Sequence, residues 1–454
     1  MSEGWAGKRV LVVGLGVSGF AAARALLELD AKVRVTEASS GDAIAKRAAE
    51  LAVLGAEVET GGHDLEALEA DIAVVSPGIF PSSDVVKALS AARVRIIGEV
   101  ELAFRLARCD FLAVTGTNGK TTTTSLLASM LAHSGIPSAA AGNIGDPLVD
   151  AARAIPQGGA VAVEVSSFQL ATIESFRPKV AVVLNVAEDH TDWHGTYQSY
   201  ASAKARIFTN QTSDDVAIVN ADDPGSADIA RGARARVIPF SGHRLPPGGA
   251  GVEGEMIVIE GEGIVPVNEV PLPGVAGIED AVAAAAAAIL YGVDAGSVRR
   301  ALGSFRPLAH RMTTVGEIDG VTYIDDSKAT NPHATVAAVR GMTDVVLIAG
   351  GRSKGIDLGP LAQLVPPVIA VVALGEARSE LEQVFSGLVP VDRVDSMEDA
   401  IRSARVRANG KGSVLLSPAC ASLDMYTSYA ARGDAFAEAV RKLSSRERGV
   451  DGHS

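Results

Sequence analysis

Cysteine is almost missing from this sequence. Its 454 residues include only Cys109 and Cys420, far apart and without metal-ligand spacing, which excludes a disulfide framework and a cysteine-held zinc site and fits a reducing cytosol. Basic charge is also in short supply: 41 Lys and Arg stand against 54 Asp and Glu, a formal net charge of −13. Such a field attracts neither phosphodiester backbones nor anionic lipid, so neither nucleic acid nor membrane is expected as a partner. Any phosphate ligand must be held by a local site. Long apolar runs are lacking too. The opening MSEGWAGKRV has no apolar signal region, and the Ala-rich run AVAAAAAAIL at 281–290 falls well short of a membrane span. A cytoplasmic, untargeted protein is expected.

What is present is the composition of a soluble α/β protein, with 47% hydrophobic and 21% charged residues and 47 glycines spread along the chain. The length suggests about three domains. KRVLVVGLGVSGFAAARALLELDAKVRVTEAS reads as strand, glycine turn, helix and strand, the opening of a Rossmann-like domain. The alternation continues through DIAVVSPGI at 71–79 and VRIIGEVEL at 94–102. A second unit begins at FLAVTGTNGK, and VAVEVSS, KVAVVLNV and VAIVNADDP supply further short apolar strands with polar residues at their carboxyl ends. Gly- and Pro-rich residues 241–264 read as a small β excursion or surface loop. After FRPLAHRM a third series of strands follows, in VTYIDDSKATNP, DVVLIAGG, VIAVVALG and SVLLSPACASLD. The expected fold is therefore α/β in three domains: Rossmann-like over 1–109, a P-loop-type ATPase with a mostly parallel sheet over 110–304, and Rossmann-like again over 305–454.

The segment TGTNGKTTT at 115–123 carries the clearest chemistry. In a G-x-x-x-x-G-K-[ST] loop, backbone N–H groups cradle phosphates, the lysine meets the terminal phosphates and the hydroxyl reaches Mg²⁺. Gly119, Lys120 and Thr121 fit that pattern, although Val114 stands at the position of the first glycine. The loop still lies between a strand and a helix, where the helix dipole favours anions. A nucleoside triphosphate is expected on it. Glu164, at the end of VAVEV, is placed as a carboxylate that meets a metal held by Thr121. Read alone it is more often a capping or surface residue than a ligand, His190 a structural or exposed loop histidine, and Lys204 a solvated helix lysine. The N-terminal Gly14, Gly16 and Gly19 match G-x-G-x-x-G with Glu37 near the place of a ribose-binding acid, and by themselves they point evenly to a nicotinamide dinucleotide.

The motifs TGTNGKTT, EVSSFQL (164–170), LNVAEDHTDWHGT (184–196) and YASAKARIF (200–208) together resemble the Mur ligases, the ATP-dependent amide-forming enzymes of peptidoglycan synthesis. The resemblance covers nearly the whole chain. Within the family, GLGVSG, DDSKATNPHAT (325–335) and LLSPACASLD (415–424) resemble the branch that adds D-glutamate to UDP-N-acetylmuramoyl-L-alanine.

That resemblance implies a set of roles. ATP would be held by Gly116, Thr117, Asn118, Gly119, Lys120, Thr121 and Thr122, with Asp326 on the ribose, Lys328 on a phosphate and Arg311 on the γ-phosphate from a hinge region that includes His310. The UDP-sugar would lie on Gly14, Gly16, Val17, Ser18, Thr36, Glu37 and Ser76, with Asn143 and His190 at its muramoyl part. Two Mg²⁺ ions are implied, one held by Glu164 and Lys204 with His190 nearby, the other by Thr121. D-glutamate would meet Thr330, Lys354, Ser422, Leu423 and Tyr429, the last standing where Phe is more familiar. Lys120, Lys204, His190 and Lys328 would carry the catalysis.

Lys204 matches a family lysine that carries a carbamate, a bidentate anion suited to Mg²⁺ where an ammonium would repel it. Forming it needs the neutral amine, only about 10⁻³ to 10⁻⁴ of a free lysine at pH 7. A monomer is expected. One segment departs from the family: the pattern G-x-H-N-x-x-N is replaced by PGVAGIEDAVAAAA, so that Ala276, Gly277 and Asp280 stand for the His and both Asn, which weakens any adenine contact there. Still open at this point are another amide ligase of the superfamily with a different acceptor, a folylpolyglutamate-synthase-like enzyme, a non-catalytic nucleotide-binding protein and an NAD-linked oxidoreductase.

Overall fold

Short valine- and alanine-rich strands buried on both faces are what a parallel sheet covered by helices requires, and each of the three sheets is built from them. The computed structural model describes residues 4–65, 68–272, 274–306, 309–353 and 355–450. They form two compact units, one of residues 1–186, 198–269 and 280–304, the other of 187–197, 270–279 and 305–454.

The first unit contains two sheets. Strands β1 (Arg9–Val13), β2 (Lys32–Glu37), β3 (Glu57–Thr60), β4 (Ile72–Val75) and β5 (Arg95–Gly98) lie in the order β3-β2-β1-β4-β5, all parallel. The order reverses between β1 and β4, the crevice where doubly wound sheets bind ligands. Gly14 turns there at φ 97° into the helix Val17–Leu27, and a Cβ on it would come within 2.7 Å of Ser76 Oγ. Gly19 lies so close to the Gly14 carbonyl that any side chain would overlap it. The segment VRIIGEVEL is a strand only to Gly98, and Glu99–Leu106 is a helix.

The second sheet contains β6 (Asp110–Thr115), β7 (Ser138–Gly142), β8 (Ala160–Glu164), β9 (Val180–Val183), β10 (Val216–Asn220), β11 (Arg236–Phe240), β12 (Ala250–Glu253), β13 (Met256–Ile259) and β14 (Glu262–Pro266), in the order β14-β13-β12-β11-β10-β9-β6-β8-β7. It is parallel from β7 to β12 and antiparallel at the β12-β13-β14 end, which realises the β excursion read at 241–264. The Ala-rich run sits in a longer helix than its sequence suggests. Gly274–Tyr291 has 18 residues and is apolar enough by length and composition to cross a bilayer, yet Asp280 to Ala288 are buried in the protein.

The second unit is built on β15 (Thr313–Ile318), β16 (Val321–Asp325), β17 (Val345–Gly350), β18 (Val368–Leu374), β19 (Val391–Arg393) and β20 (Ser413–Leu416), in the order β15-β16-β20-β17-β18-β19. Only the β15-β16 pair is antiparallel. Three α/β layers with mostly parallel sheets are thus present, as the alternation of strands and helices implied.

Within the first unit the two sheets are joined by a buried carboxylate. Glu101, fully buried, accepts from the backbone N–H groups of Glu174, Ser175 and Phe176, from the Ser175 hydroxyl and from Arg105 Nε at 2.7 Å. Beside it Phe104, Phe111 and Phe176 meet edge to face, each pair of centroids 5.6 Å apart. Burial alone would raise the Glu101 carboxyl, but the bonds from Ser175, Glu174 and Arg105 outweigh it and hold the group below the usual carboxylate range.

A group lowered in the folded state stabilises the protein above its unfolded pKa of about 4.3 and loses that contribution as pH falls through the folded value. Glu101→Ala should therefore cost about 3–5 kcal/mol at pH 7, since it strands three backbone donors and takes from Arg105 a buried carboxylate, leaving it Glu174. In urea unfolding followed by circular dichroism, the difference from the parent should shrink steadily below about pH 4. A difference independent of pH would contradict this account.

Candidate active site

β6 ends in Thr115, and the chain then makes two turns that only glycine tolerates well. Gly116 has φ 157° with the Leu184 side chain 3.0 Å from any added Cβ, and Gly119 has φ 86°. Lys120 opens a helix to His133 whose N-cap, Gly119, offers no capping side chain, and the N-terminal end of a helix is where an anion is favoured.

Neighbouring strands hold this loop in place. Thr115 Oγ1 donates to the Val165 carbonyl at 2.7 Å. Thr117 N and Asn118 N donate to the carbonyl and side-chain oxygen of Asn185 at 2.9 and 2.8 Å. Tyr200 Oη lies 3.0 Å from Thr117 Oγ1. Lys120 Nζ donates to the carbonyls of Gly116 and Thr117 at 2.9 and 2.8 Å.

Lys204 is not a solvated helix lysine. It is 1% exposed, with Nζ donating to the Gly116 carbonyl at 2.7 Å and lying 4.6 Å from the centre of the Tyr200 ring. Glu164 is 2% exposed on the strand next to β6, paired with Val114. One of its oxygens accepts from Asn143 Nδ2 at 2.9 Å, and the other is buried without a hydrogen-bond partner. A buried carboxylate oxygen without a donor is costly unless a cation completes it, so the donor set fits a hard divalent ion. Thr121 is half-buried at the head of the helix, and the buried Thr122 hydroxyl also lacks a partner.

Asp280 lies against this loop. Its Oδ1 accepts from Thr123 Oγ1 at 3.2 Å, and it fills the space a side chain on Gly119 would need.

The N-terminal candidates gather at the carboxyl edge of the first sheet. Gly16 precedes the helix Val17–Leu27 without capping it, and Val17 is exposed. Glu37 is turned onto the glycine turn itself, accepting from Leu15 N at 2.6 Å and Ser39 N at 2.8 Å. Burial opposes its charge, but these backbone donors prevail and hold its carboxyl low. Thr36 Oγ1 lies 2.8 Å from His63 Nδ1. The hydroxyl of Ser76 is buried without a partner, and burial raises the carboxyl of Glu99, which accepts from Leu148 N at 2.8 Å.

The remaining candidates belong to the second unit. His190 has φ 52° at the head of a short helix, its Nε2 3.8 Å from Asp189. Asp189 in turn accepts from Asn331 Nδ2 at 3.1 Å. Asp326 is buried, accepting from Ser417 Oγ at 3.0 Å and Met312 N at 3.3 Å. Burial pushes its carboxyl up to about 7 despite the nearby positive charge of Arg311. Arg311 Nε is buried without a partner. His310 Nδ1 lies 2.7 Å from Asp325, and Lys328 Nζ lies 5.5 Å from the centre of the Tyr429 ring. Thr330 is half-buried, Ser422 buried and Leu423 exposed. Lys354 lies outside the described residues. Asn185, Tyr200 and Asn331 went unassigned in the sequence, and their contacts are with loops distant in the chain. The motifs LNVAEDHTDWHGT, YASAKARIF and DDSKATNPHAT did contain them.

The class so defined is a phosphate-loop α/β protein with a Rossmann-like sheet on either side in sequence. Residues 8–98 match the Mur ligase MurD-like N-terminal domain, 114–288 the Mur ligase middle domain, and 310–420 the Mur ligase glutamate ligase domain. The UDP-N-acetylmuramoylalanine--D-glutamate ligase of Frankia casuarinae is 45% identical over 450 residues, 97% of this chain and 95% of its own. That of Geobacillus kaustophilus is 41% identical over 444 residues, 96% and 98% of the two chains. The chain belongs to the Mur ligase family. Among solved structures, a pseudomurein peptide ligase type C from Methanothermus fervidus shares the fold with TM-score 0.60 at 20% identity, covering 96% of this chain and all of the other. MurF ligase from Thermotoga maritima in complex with ADP does so with TM-score 0.60 at 17% identity, covering 91% and 96%.

Gly119→Ala should force a left-handed residue and drive its methyl into Asp280 and Leu184. Strain of about 1–3 kcal/mol on the loop predicts ATP binding weakened by about tenfold or more, measured by calorimetric titration with MgATP. Unchanged affinity would remove this loop from the nucleotide site.

Proposed function

We propose that this chain is an ATP-dependent amide ligase that joins D-glutamate to UDP-N-acetylmuramoyl-L-alanine, releasing ADP and phosphate, in the synthesis of peptidoglycan precursors. The observation that carries the reading is its extent: three family domains in the same order and 45% identity to a D-glutamate ligase over 97% of the chain. The geometry agrees, because a phosphate loop beside an incompletely bonded buried carboxylate suits phosphoryl transfer to an acid.

A carboxylate forms an amide only after it acquires a leaving group. ATP supplies one by phosphorylating the L-alanyl carboxylate to an acyl phosphate. The amine of D-glutamate attacks the carbonyl carbon, the C–N bond forms, the C–O bond to phosphate breaks, and the amine proton passes to a base for which His190 is assigned. Gly116 to Thr122 cradle the ATP phosphates, with Lys120 and Arg311 countering their charge. Asp326 and Lys328 hold the rest of the nucleotide. Gly14, Gly16, Val17, Ser18, Thr36, Glu37 and Ser76 receive the UDP group, with Asn143 at the muramoyl part. Thr330, Ser422, Leu423 and Tyr429 receive D-glutamate, with Lys354 assigned beside them from the sequence.

Glu164 with a carbamate on Lys204 would hold one Mg²⁺, with His190 nearby, and Thr121 a second. Bound there, Mg²⁺ supplies positive charge to the transferring phosphoryl group. Burial of Lys204 against the phosphate-loop carbonyl supports its assignment to this site rather than to solvent. The enzyme is taken to act in the cytoplasm as a monomer.

Phosphate release from MgATP should require UDP-N-acetylmuramoyl-L-alanine and D-glutamate together, with L-glutamate and buffer as controls. Release supported by another amino acid would keep the ligase chemistry and sink the acceptor. After exposure to ¹³C-bicarbonate, a carbamate resonance should be present in the parent and absent from Lys204→Arg. Identical spectra would show that Lys204 carries no carbamate.

A further inference from the structure

Arg432 is 1% exposed and is the bulkiest fully buried side chain among the described residues. Its partners are neutral. Nε donates to Ser327 Oγ at 3.0 Å, one terminal nitrogen to the carbonyls of Gly350 at 3.3 Å and Cys420 at 3.1 Å, and the other to the Ser327 carbonyl at 2.9 Å. Burial pulls the guanidinium down to about 10, so it stays charged at neutral pH.

These acceptors lie just beyond or at the carboxyl ends of three different strands, β16, β17 and β20. The connection extends outward. Ser327 Oγ donates to the Tyr429 carbonyl at 2.7 Å, and Arg352 and Ala421 exchange two backbone bonds at 2.9 and 3.0 Å. Gly351, at φ 127°, brings its backbone so close to Ala421 that a side chain would overlap the carbonyl there, with Arg432 Nη1 3.2 Å away.

No carboxylate hydrogen-bonds to this buried charge, Asp424 and Asp325 acting on it only from further off, and an apolar side chain would fill a core more cheaply. What arginine alone provides is a rigid planar fork of five donors that can reach acceptors on several loops at once. The residues assigned to the acceptor site stand on those same loops. On the loop after β16, Thr330 stands three residues beyond Ser327; on the loop after β20, Ser422 lies two residues after Cys420 and Tyr429 is bonded through its carbonyl to Ser327.

We infer that Arg432 is a positioning residue for the acceptor amino acid, its guanidinium setting the spacing of the three strand-end loops, of which those after β16 and β20 carry Thr330, Ser422 and Tyr429. The inference rests on the reading of this chain as a D-glutamate-adding ligase. Arg432 does not touch the acceptor; it acts through the loops.

Arg432→Lys keeps the charge but loses the fork. It should raise the KM for D-glutamate by about tenfold, while the KM for ATP stays within about twofold. Acyl phosphate trapped with hydroxylamine in the absence of D-glutamate should also stay within about twofold. An unchanged KM for D-glutamate overturns the inference, as does an equal loss in all three measurements from a folded variant. Should Arg432→Lys fail to fold, Ser327→Ala, which removes the hydroxyl that joins Arg432 Nε to the Tyr429 carbonyl, should raise the same KM by about threefold, and no rise overturns the inference. If the parent enzyme uses a different amino acid, the D-glutamate reading falls, and the same comparison decides the role of Arg432 on that acceptor.

Discussion

The backbone of residues 116–119 must remain open, in conformations that glycine alone adopts readily, and much of the first unit serves to keep it so. Much of its shape is imposed by neighbouring strands and helices, beyond the bonds that Lys120 makes to the Gly116 and Thr117 carbonyls. Asn185 fixes two of its N–H groups, Thr115 ties its start to Val165, and Lys120 and Lys204 both bond to the Gly116 carbonyl. Asp280 closes the space beside Gly119. The residue types at these positions follow from the need to hold the loop without occupying it.

A second feature is the amount of charge buried near the strand ends. Burial penalises each of these groups, and the chain meets the penalty in different ways. Glu101 is surrounded by donors and held ionised at the joint between two sheets. Arg432 is bonded to carbonyls and a hydroxyl. Glu164 is satisfied on one oxygen only, and Asp326 is pushed up to about 7. The completed networks hold loops together, whereas the incomplete carboxylate stands where a ligand is assigned.

Much of the architecture was legible in the chain. The strand–glycine–helix pattern at Gly14 and the loop at Gly116 to Thr121 identified the first two sheets because hydrophobic periodicity and glycine are local signals. Boundaries were less legible. The apolar positions in VRIIGEVEL suit a strand as well as a helix, and only burial of Glu99 and Glu101 against residues 148 and 174–176 decides for the helix from Glu99. Lys204 illustrates the same limit: nothing local distinguishes a solvated lysine four residues after a tyrosine from one buried beneath a phosphate loop.

The sequence by itself determined the fold class, the phosphate loop and the family, because each is written in contiguous residues whose spacing has a direct backbone meaning. Tertiary structure alone decided which polar groups are satisfied and by what. Glu37 turns back onto its own glycine turn, Asp280 lies against Gly119, and Arg432 joins three loops, since the hydrogen bonds involved span 12 to 157 residues and depend on how strands order themselves in a sheet. Hydrogen-bond partners at that separation leave no periodic trace in the chain. They exist only once the strand ends have been brought to one edge.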